Sequence, residues 1–470
     1  MHRHPVRQSR RPMLLLLVLL IGSALAARAA AGRSQPAAPR PNLIFFLTDD
    51  QRFKALSFAG NQILHTPNMD RLAREGMWFE NMFVINSLCA PSRSTLLTGL
   101  YSHSHGVIDN KRRQIDPQAP FMPELLRQAG YEVAFCGKSH VRGALRDRQW
   151  DYYFGFRGQG NYLKPRIAEG VDGPDRLYEG YMDDIVTGKA IEWLKRKRTK
   201  PFCLFLWFKA PHRSWLRARR HHDLFRKAVV PKPDTYDDDL KGYPGKPRAF
   251  AEANNKIGNF NDVRSLDFAK NYYATLQAVD ENVGRVLKAL EETRQLNDTA
   301  ILYSSDNGFF LGEWRLFDKR LMHEPSIRVP LMIRYPRLIK RGSRTRKMAL
   351  NLDIAPTMLD LAGAPIPPAM QGRSLVPLLR RQKIAWRKDW LYEYFEFPGP
   401  HSVRKNRGVR TDRYKLIQYY KEPQEWELYD LKSDPGERQN LWNQPALRRV
   451  QGRLIRRLAA LRRETGDVAP

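Results

Sequence analysis

Short apolar runs that end in acidic or amide residues constrain the fold of this chain most strongly. Asn42 to Thr48 reads NLIFFLT and is followed by Asp49-Asp50, and Ala300 to Ser305 is followed by Asp306-Asn307. A continuous apolar run of this length predicts a strand that is buried on both faces, as in a parallel sheet covered by helices. The carboxyl ends of parallel strands meet at one edge of the sheet, where α/β proteins bind ligands.

Further apolar runs alternate with amphipathic helical patterns. Tyr131 to Cys136 and Pro201 to Phe208 predict strands, whereas Met182 to Lys195 and Phe268 to Thr293 predict helices. This alternation predicts an α/β fold with a large mixed, mostly parallel sheet sandwiched by helices. Arg142 to Glu179 is rich in aromatic residues and glycine without a clear period, so we expect long loops over the site there.

The pattern changes near residue 385. Short strand-like runs follow in hairpin order, and an amphipathic helix is predicted from Pro445 to Thr465. We therefore expect a large domain over residues 41–384, which carries the two polar pairs, and a smaller C-terminal α+β subdomain over residues 385–470.

The N-terminus has the composition of an export signal. Basic residues from His2 to Arg11 precede the apolar run Met13 to Ala26, and small residues follow. This layout predicts a secretory signal peptide over residues 1–31, a flexible leader over residues 32–40, and a secreted or periplasmic protein. The run is shorter than the roughly 20 residues of a membrane span, so no integral membrane anchor is expected. Ser9-Arg10-Arg11 fits a twin-arginine signal and a plain basic region equally well.

The charge balance is strongly basic. Eighty Lys and Arg residues against 49 Asp and Glu residues give a formal net charge of +31. Such a field attracts polyanions such as nucleic acid, acidic membrane surfaces or sulfated polysaccharides, although a solvated arginine-rich surface is the alternative interpretation. The basic clusters lack the interleaved aromatic residues of a single-strand binding platform, so nucleic acid is not the expected partner.

The two polar pairs at the predicted strand ends form a candidate metal site. Asp49, Asp50, Asp306 and Asn307 offer only oxygen ligands. Oxygen ligands suit a hard cation, with Ca²⁺ the first choice and Mg²⁺ the second, and the lack of histidine or thiolate argues against zinc. Each pair alone is a common turn or cap sequence, so the prediction depends on both pairs following apolar runs.

A cysteine at a predicted loop-to-helix junction is the candidate reactive residue. Cys89 begins the string CAPSRSTLLTG, in which Pro91 suits a first helical turn. The helix N-terminus together with Arg93 favours an anion at this point. The chain has two other cysteines, Cys136 and Cys203, in apolar runs; plain buried thiols are favoured for them, and a pairing between them stays open.

This string resembles the C-x-P-S-R and L-T-G signature of the type I, formylglycine-dependent sulfatases of the alkaline phosphatase-like superfamily. The resemblance implies that a formylglycine-generating enzyme oxidises Cys89 to 3-oxoalanine (formylglycine). Lys138 and His140 resemble the family's G-K-x-H motif, His212 its A-P-H motif and Lys319 its D-K-R motif. The match extends from residue 41 to about residue 434.

The resemblance also implies a reaction. Formylglycine at position 89 is hydrated to a geminal diol, and one hydroxyl, held near the cation and activated by Asp306, attacks the sulfur atom in line. Arg93 holds and polarises this nucleophile. Lys138, Lys319 and the cation neutralise the sulfate oxygens, which is the electrostatic contribution that usually dominates such transfers.

Two histidines complete the implied reaction. His212 protonates the departing alcohol, a role that Lys319 is close enough to share in the family. His140 takes the proton of the second hydroxyl, which expels sulfate and regenerates the aldehyde. The chain departs from the family's usual pattern beside the site, with Ser139 in place of tryptophan and Arg213-Ser214 after A-P-H.

The substrate is expected to be a sulfated saccharide. The segment Tyr101 to Asn110 and the continuation of the D-K-R motif look most like the glucosamine-6-sulfatase and mucin-desulfating branch, which implies that His105 and Asn110 contact substrate. Iduronate-2-sulfatase and arylsulfatase specificities stay open. The competing hypotheses are a phosphonate monoester or phosphodiester hydrolase on the same scaffold, and a non-enzymatic polyanion-binding protein.

Overall fold

The apolar runs form the centre of a ten-stranded sheet in the computed structural model. The structure describes residues 1–2, 40–111, 114–141, 148–238, 245–259, 265–422 and 424–468. The predicted signal peptide and leader lie, apart from residues 1, 2 and 40, outside the described residues. The strands are β1 Asn42–Thr48, β2 Met77–Phe79, β3 Met82–Phe83, β4 Glu132–Lys138, β5 Tyr152–Phe156, β6 Arg166–Glu169, β7 Asp175–Leu177, β8 Phe202–Trp207, β9 Thr299–Ser305, β10 Phe310–Leu311, β11 Phe317–Asp318, β12 Leu331–Arg334, β13 Ser343–Thr345, β14 Ala349–Leu350, β15 Asp389–Tyr394, β16 Asn406–Thr411, β17 Tyr414–Tyr419 and β18 Glu425–Asp430.

The large sheet has the order β13-β2-β12-β9-β1-β8-β4-β5-β6-β7. Its five central strands, β9, β1, β8, β4 and β5, are mutually parallel, and antiparallel neighbours β12 and β6 flank them. The prediction of a mixed, mostly parallel sheet is therefore confirmed. β1 lies at its centre, with β9 on one side and β8 on the other, so the carboxyl ends of these three strands share one edge.

Helices cover both faces of this sheet. They are α1 Pro67–Glu75, α2 Cys89–Thr98, α3 Ser102–His105, α4 Met122–Gln128, α5 Met182–Leu194, α6 Arg248–Ala251, α7 Phe268–Glu292, α8 Glu324–Ile327, α9 Ile354–Leu361, α10 Val376–Leu379 and α11 Arg448–Thr465. Alternate side chains of β1 point to opposite faces, because side chains in a strand have a period of two. Phe45 packs in the cluster that includes α2, α4 and α9, and Phe46 in the cluster that includes α1, α5 and α7.

The C-terminal part contains a separate antiparallel sheet in the order β15-β16-β17-β18, as predicted from the hairpin pattern. Leu391 and Val409 of this sheet belong to the same apolar cluster as Phe45 of β1. Helix α11 contributes Leu454 and Leu458 to that cluster. The small sheet therefore packs on one face of the large domain through a continuous core.

One part of the expected fold was wrong. Arg142 to Glu179 was expected to form long loops, but its described part contains β5, β6 and β7, which extend one edge of the large sheet. These strands are three to five residues long and rich in tyrosine, glycine and charged residues. Their stability comes from pairing with β4 and with one another, which an apolar pattern does not reveal.

The cysteines at positions 136 and 203 are unpaired and buried. Cys136 on β4 and Cys203 on β8 lie in the clusters on opposite faces of the sheet, so no disulfide joins them. The expectation of plain buried thiols is confirmed. In the part of the chain that the structure describes, no helix combines the length and apolarity needed to span a membrane.

Candidate active site

Cys89 is the first residue of α2 and lies at the carboxyl edge of the large sheet. Every residue of this helix is buried, and Cys89 is 1% exposed. Its Sγ atom lies 3.1 Å from Nζ of Lys319 and 3.6 Å from Oδ1 of Asp49. The backbone N–H of Ala90, in the first turn, donates to Oδ1 of Asn110 at 3.1 Å. Burial raises the pKa of the Cys89 thiol to about 12, so the unmodified side chain stays protonated.

The parallel pairing of β1 with β9 brings three carboxylates together. Thr48 is in register with Ser305, so the residues that follow each strand emerge side by side. Carboxylate oxygens of Asp49, Asp50 and Asp306 lie within 4.8 Å of one another, and all three residues are buried. Burial, with the neighbouring carboxylates, raises the pKa of Asp50 to about 7 and raises the pKa of Asp306.

Asn307 adds an amide to this group. Its Nδ2 donates to Oδ1 of Asp50 at 2.5 Å, while its buried Oδ1 has no hydrogen-bond partner among the described residues. A buried acceptor without a partner is costly unless a ligand satisfies it. The next residue has to be glycine, because a Cβ atom on Gly308 would lie 2.2 Å from the backbone oxygen of Pro325. Four oxygen-bearing side chains at this edge of the sheet therefore fit a hard cation.

Three buried cations neutralise these carboxylates. Arg93 Nε donates to Asp306 Oδ2 at 2.8 Å, and its Nη2 lies 3.2 Å from Asp49 Oδ2. Nζ of Lys138 forms an ion pair with Asp49, and Nζ of Lys319 forms one with Asp50. Burial opposes ionisation of Asp49, but Lys138 and the other cations hold the pKa of Asp49 well below its usual range.

The two predicted histidines lie on loops that follow strands. His212 Nδ1 donates to the backbone oxygen of Arg213 at 2.5 Å, which leaves Nε2, 4.0 Å from Asp50 Oδ2, as the proton acceptor. Burial, reinforced by Lys138, holds the pKa of His212 well below its usual range. His140 follows β4 with a backbone φ of 51°, a left-handed conformation that is uncommon for a non-glycine residue.

A cavity of about 580 Å³ opens above Cys89. Four of the residues proposed from the sequence line it, namely Cys89, Asn110, His212 and Lys319. The lining also includes Gln159, Lys209, Arg213, Asp318 and Arg320, of which Gln159 and Lys209 belong to no motif recognised in the sequence. Most of these side chains are cationic or amide, as a cavity for an anionic ester requires.

Gln159 lines this cavity but belongs to no motif that could be recognised in the sequence. It follows β5, and its Oε1 accepts a hydrogen bond from Lys138 Nζ at 2.5 Å. Its Nε2 lies 3.4 Å from His140 Nε2, and its backbone oxygen accepts from Lys209 Nζ at 3.0 Å. The only sequence signal is the short Gly158-Gln159-Gly160 turn inside a segment that was interpreted as loop.

The opposite wall is an ionic cluster around Asp318. Its Oδ2 lies 2.7 Å from His401 Nε2 and 3.7 Å from Arg213 Nη2, and its Oδ1 pairs with Arg320. His401 precedes β16, so the C-terminal part of the chain contributes to this wall together with Pro400. Burial opposes ionisation of Asp318, but Arg320, together with the other neighbours, holds the pKa of Asp318 well below its usual range. Asp318 and Arg320 flank Lys319 in the D-K-R motif, which was the available signal.

The structure does not bring His105 to this cavity. Its side chain is completely buried, with Nε2 3.0 Å from Thr95 Oγ1 and Nδ1 accepting from the backbone N–H of Val107. Burial lowers the pKa of His105 to about 3, so it stays neutral. His105 therefore joins α3 to α2 within the fold, whereas Asn110, the other residue expected to contact substrate, does line the cavity.

Comparisons with known proteins show which family the chain resembles. The family model described as "Sulfatase" matches residues 41–364, and the model "N-sulphoglucosamine sulphohydrolase, C-terminal" matches residues 312–464. An N-acetylglucosamine-6-O-sulfatase of Bacteroides thetaiotaomicron is 36% identical over 98% of this chain and 92% of that protein. Human N-acetylglucosamine-6-sulfatase is 31% identical over 82% of this chain and 71% of the human protein.

Solved structures extend the comparison to the fold. One protein in complex with its substrate D-glucosamine-2-N,6-O-disulfate superposes with a TM-score of 0.87 at 36% identity, covering 92% of this chain and 99% of that one. The phosphonate monoester hydrolase of Agrobacterium radiobacter superposes with a TM-score of 0.76 at 21% identity, covering 91% of this chain and 96% of that one. This likeness shows a shared fold and nothing more about function. The extent of the family match and the identity to these relatives establish that the chain belongs to the sulfatase family and is a sulfuric ester hydrolase.

Proposed function

We propose that this sulfatase removes the 6-sulfate of glucosamine-type residues in a sulfated glycan. The observation that carries the proposal is that Cys89 and Lys319 line one cationic cavity and contact a buried cluster of three carboxylates and Lys138. The names of the two relatives at 36% and 31% identity, and the glucosamine disulfate in the superposed complex, support this choice of sugar and position.

Cys89 is the precursor of formylglycine in this proposal. Oxidised Cys89 supplies a hydrated aldehyde, whose one oxygen attacks the sulfur atom and whose second hydroxyl allows sulfate to be expelled afterwards. Its place between Asp49 and Lys319, at the N-terminus of α2, suits a nucleophile that meets an anionic ester. Because Cys89 is 1% exposed in the folded chain, the formylglycine-generating enzyme has to act before folding is complete.

Asp49, Asp50, Asp306 and Asn307 are the proposed metal ligands. Their oxygen-only donor set and the unsatisfied Oδ1 of Asn307 support Ca²⁺, with Mg²⁺ the second choice. A divalent ion there supplies positive charge against the sulfate oxygens and the developing oxyanion. Arg93 holds two of the ligands, Asp49 and Asp306, in place.

The remaining side chains have the following proposed roles. Lys138 and Lys319 bind the sulfate oxygens and stabilise the negative charge of the transition state. His212 lies in the cavity wall, and it protonates the oxygen of the departing alcohol after its Nε2 has taken up a proton, which a bound anionic ester favours. His140 accepts the proton whose removal releases sulfate. Asn110 contacts the sugar.

Two measurements test the proposal. The peptide that contains Cys89 should be about 18 Da lighter than the thiol form, because a carbonyl oxygen replaces the sulfur atom and two hydrogens. Among sulfated monosaccharides, glucosamine 6-sulfates should have the highest kcat/KM, ahead of iduronate 2-sulfate and aryl sulfates. A modified enzyme that releases no sulfate from any 6-sulfated glucosamine would contradict the substrate assignment.

The competing reaction is phosphonate monoester or phosphodiester hydrolysis on the same scaffold. The likeness to the Agrobacterium phosphonate hydrolase concerns the fold and does not favour that chemistry here. Rates on matched sulfate and phosphate esters of one aryl alcohol would separate the two reactions.

The proposal also includes export and domain organisation. Residues 1–31 direct secretion or export to the periplasm, and the domain limits are 41–384 and 385–470. N-terminal sequencing of the mature protein tests the removal of residues 1–31.

A further inference from the structure

The C-terminal helix α11 presents two unlike faces. Its sequence, RRVQGRLIRRLAALRRET, contains seven arginines and one acidic residue. Leu454, Leu458 and Leu461 are 2%, 3% and 6% exposed and pack in the core shared with the large sheet. The apolar face of the helix is therefore already occupied by the protein itself.

Four arginines form a stripe on the other face. Arg449, Arg453, Arg456 and Arg463 are exposed. At about 100° per residue they fall within about 80° of arc, on the side opposite the leucines, and they span about 21 Å along the axis. In the described part of the chain none of the four has an ion-pair partner, whereas Arg457 pairs with Asp389 and Glu464. We call these four residues the arginine stripe.

The arginine stripe does not stabilise the helix that carries it. Arg449 and Arg453 are four residues apart, and Arg453 and Arg456 are three apart, so like charges are neighbours on the helix surface. Arg449 also lies in the first turn, where the helix dipole disfavours a positive charge. A cost to local stability without a compensating contact is expected at functional positions.

We propose that the arginine stripe is a docking surface for a linear sulfated polysaccharide, separate from the cavity at Cys89. Guanidinium groups bind oxyanions through two parallel hydrogen bonds, and a row of them matches a chain with repeated sulfate groups. A bilayer is a poorer occupant, because the leucines that would insert are buried in the core. Single-stranded nucleic acid is also poorer, because α11 has no aromatic residue on which bases could stack.

The choice of a sulfated polysaccharide rests on the glycan substrate proposed above, whereas the choice of a polyanion rests on the stripe alone. Docking of the polymer would raise the local concentration of its sulfate esters near the enzyme without contributing to bond cleavage. A small sulfated sugar does not span the stripe and should not depend on it.

The test compares two variants of the full-length enzyme. The first replaces the stripe (R449Q, R453Q, R456Q and R463Q). The control removes the same number of positive charges at exposed, unpaired positions elsewhere (K340Q, R341Q, R380Q and K383Q). Dissociation constants are measured for heparan sulfate, its desulfated form, single-stranded DNA and phosphatidylserine vesicles, together with thermal midpoints and kcat/KM on a sulfated monosaccharide.

The stripe variant should bind heparan sulfate about tenfold more weakly at 0.15 M salt, with a salt slope shallower by about 3, while the control changes little. Its thermal midpoint should rise, because like-charge pairs are removed, and its activity on the monosaccharide should be unchanged. Equal weakening in both variants would overturn the proposal, since the overall charge would then explain binding. A lower thermal midpoint, or a greater loss for DNA or vesicles than for heparan sulfate, would also overturn it. If neither protein hydrolyses the monosaccharide, the proposed function fails, but the binding comparison still decides the role of the stripe.

Discussion

Oε1 of Gln159, a residue that lines the cavity, accepts a hydrogen bond from Nζ of Lys138 at 2.5 Å. Asp49 forms an ion pair with the same ammonium group. Lys138 is therefore held between a carboxylate of the proposed metal site and a neutral amide, and the amide comes from a loop outside the sulfatase motifs. This relationship leads to the first prediction.

Gln159→Met should weaken sulfate binding more than it slows catalysis. Methionine has a similar length but accepts no comparable hydrogen bond, so Lys138 loses one anchor. KM for the sulfate ester and the inhibition constant for inorganic sulfate should each rise about tenfold, with a smaller change in kcat. Gln159→Glu should raise KM and the inhibition constant further, because a carboxylate neutralises the charge of Lys138. Gln149→Met, at an exposed position, is the control; an unchanged inhibition constant in Gln159→Met would contradict the role of the amide.

Cys89→Ala should abolish hydrolysis while leaving the fold intact. The substitution removes the nucleophile and the precursor of formylglycine, so kcat should fall by at least about 10³-fold. The side chain is small and alanine fits its place, so the thermal midpoint should change by only a few degrees. Steady-state kinetics with a sulfated glucosamine, together with calorimetry, check both parts. Residual activity of a tenth or more would contradict the nucleophile assignment.

Removal of divalent cations should inactivate and destabilise the enzyme. Without a cation the three buried carboxylates repel one another, and a ligand that binds only the folded state stabilises it by mass action. The thermal midpoint should fall after treatment with a chelator and rise again with Ca²⁺, more than with Mg²⁺ at equal concentration. Asp306→Asn should remove most of this response. Asp184→Asn, which alters a carboxylate outside the site, should retain it.

The stability of the protein should decrease above neutral pH through His103. Burial opposes the charge on this imidazole, but its contact with Glu393, 2.6 Å away, raises the pKa of His103 to about 9. A raised pKa stabilises the fold fully below the unfolded value near 6.5, and this contribution is lost as pH rises through about 9. This contribution of His103 to the free energy of unfolding amounts to about 3 kcal/mol. Urea unfolding at pH 6 and pH 9.5 should show the difference, and His103→Gln should remove most of it; exposed His222→Gln is the control.

Gly308→Ala should destabilise the folded protein and disturb the metal site. The new Cβ would meet the backbone oxygen of Pro325 at 2.2 Å, and the N–H of Gly308 donates to the oxygen of Ser326 at 2.7 Å. The free energy of unfolding should fall by about 2 kcal/mol or more, because backbone has to move. Gly436→Ala is the control, because the added Cβ would meet no atom closer than 3.6 Å and the backbone of Gly436 is not in the left-handed region. Equal effects of the two substitutions in urea unfolding would contradict the steric explanation.

The sequence by itself determined the sheet centre and the residues at its carboxyl edge. β1 and β9 are buried on both faces, which favours apolar residues along the centre of each strand. Each strand therefore contains a continuous apolar run, and the polar residues that follow the run can be read directly after it. The strings around Cys89, Lys138, His212 and Lys319 are each contiguous, and the family could therefore be identified from them before any coordinates.

Only the tertiary structure decided which distant residues complete the cavity. Gln159 follows a strand held by pairing with its neighbours, and His401, which contacts Asp318 behind the cavity lining, comes from the C-terminal part, so neither has a local pattern that indicates its place. His105 is the opposite case. It lies close in sequence to the helix that begins at Cys89 and was expected to contact substrate, but its side chain lies in the interior, with Nε2 3.0 Å from Thr95 Oγ1. Local sequence patterns indicate which residues are buried. The convergence of distant side chains on one cavity depends instead on loop closure and on packing between segments hundreds of residues apart.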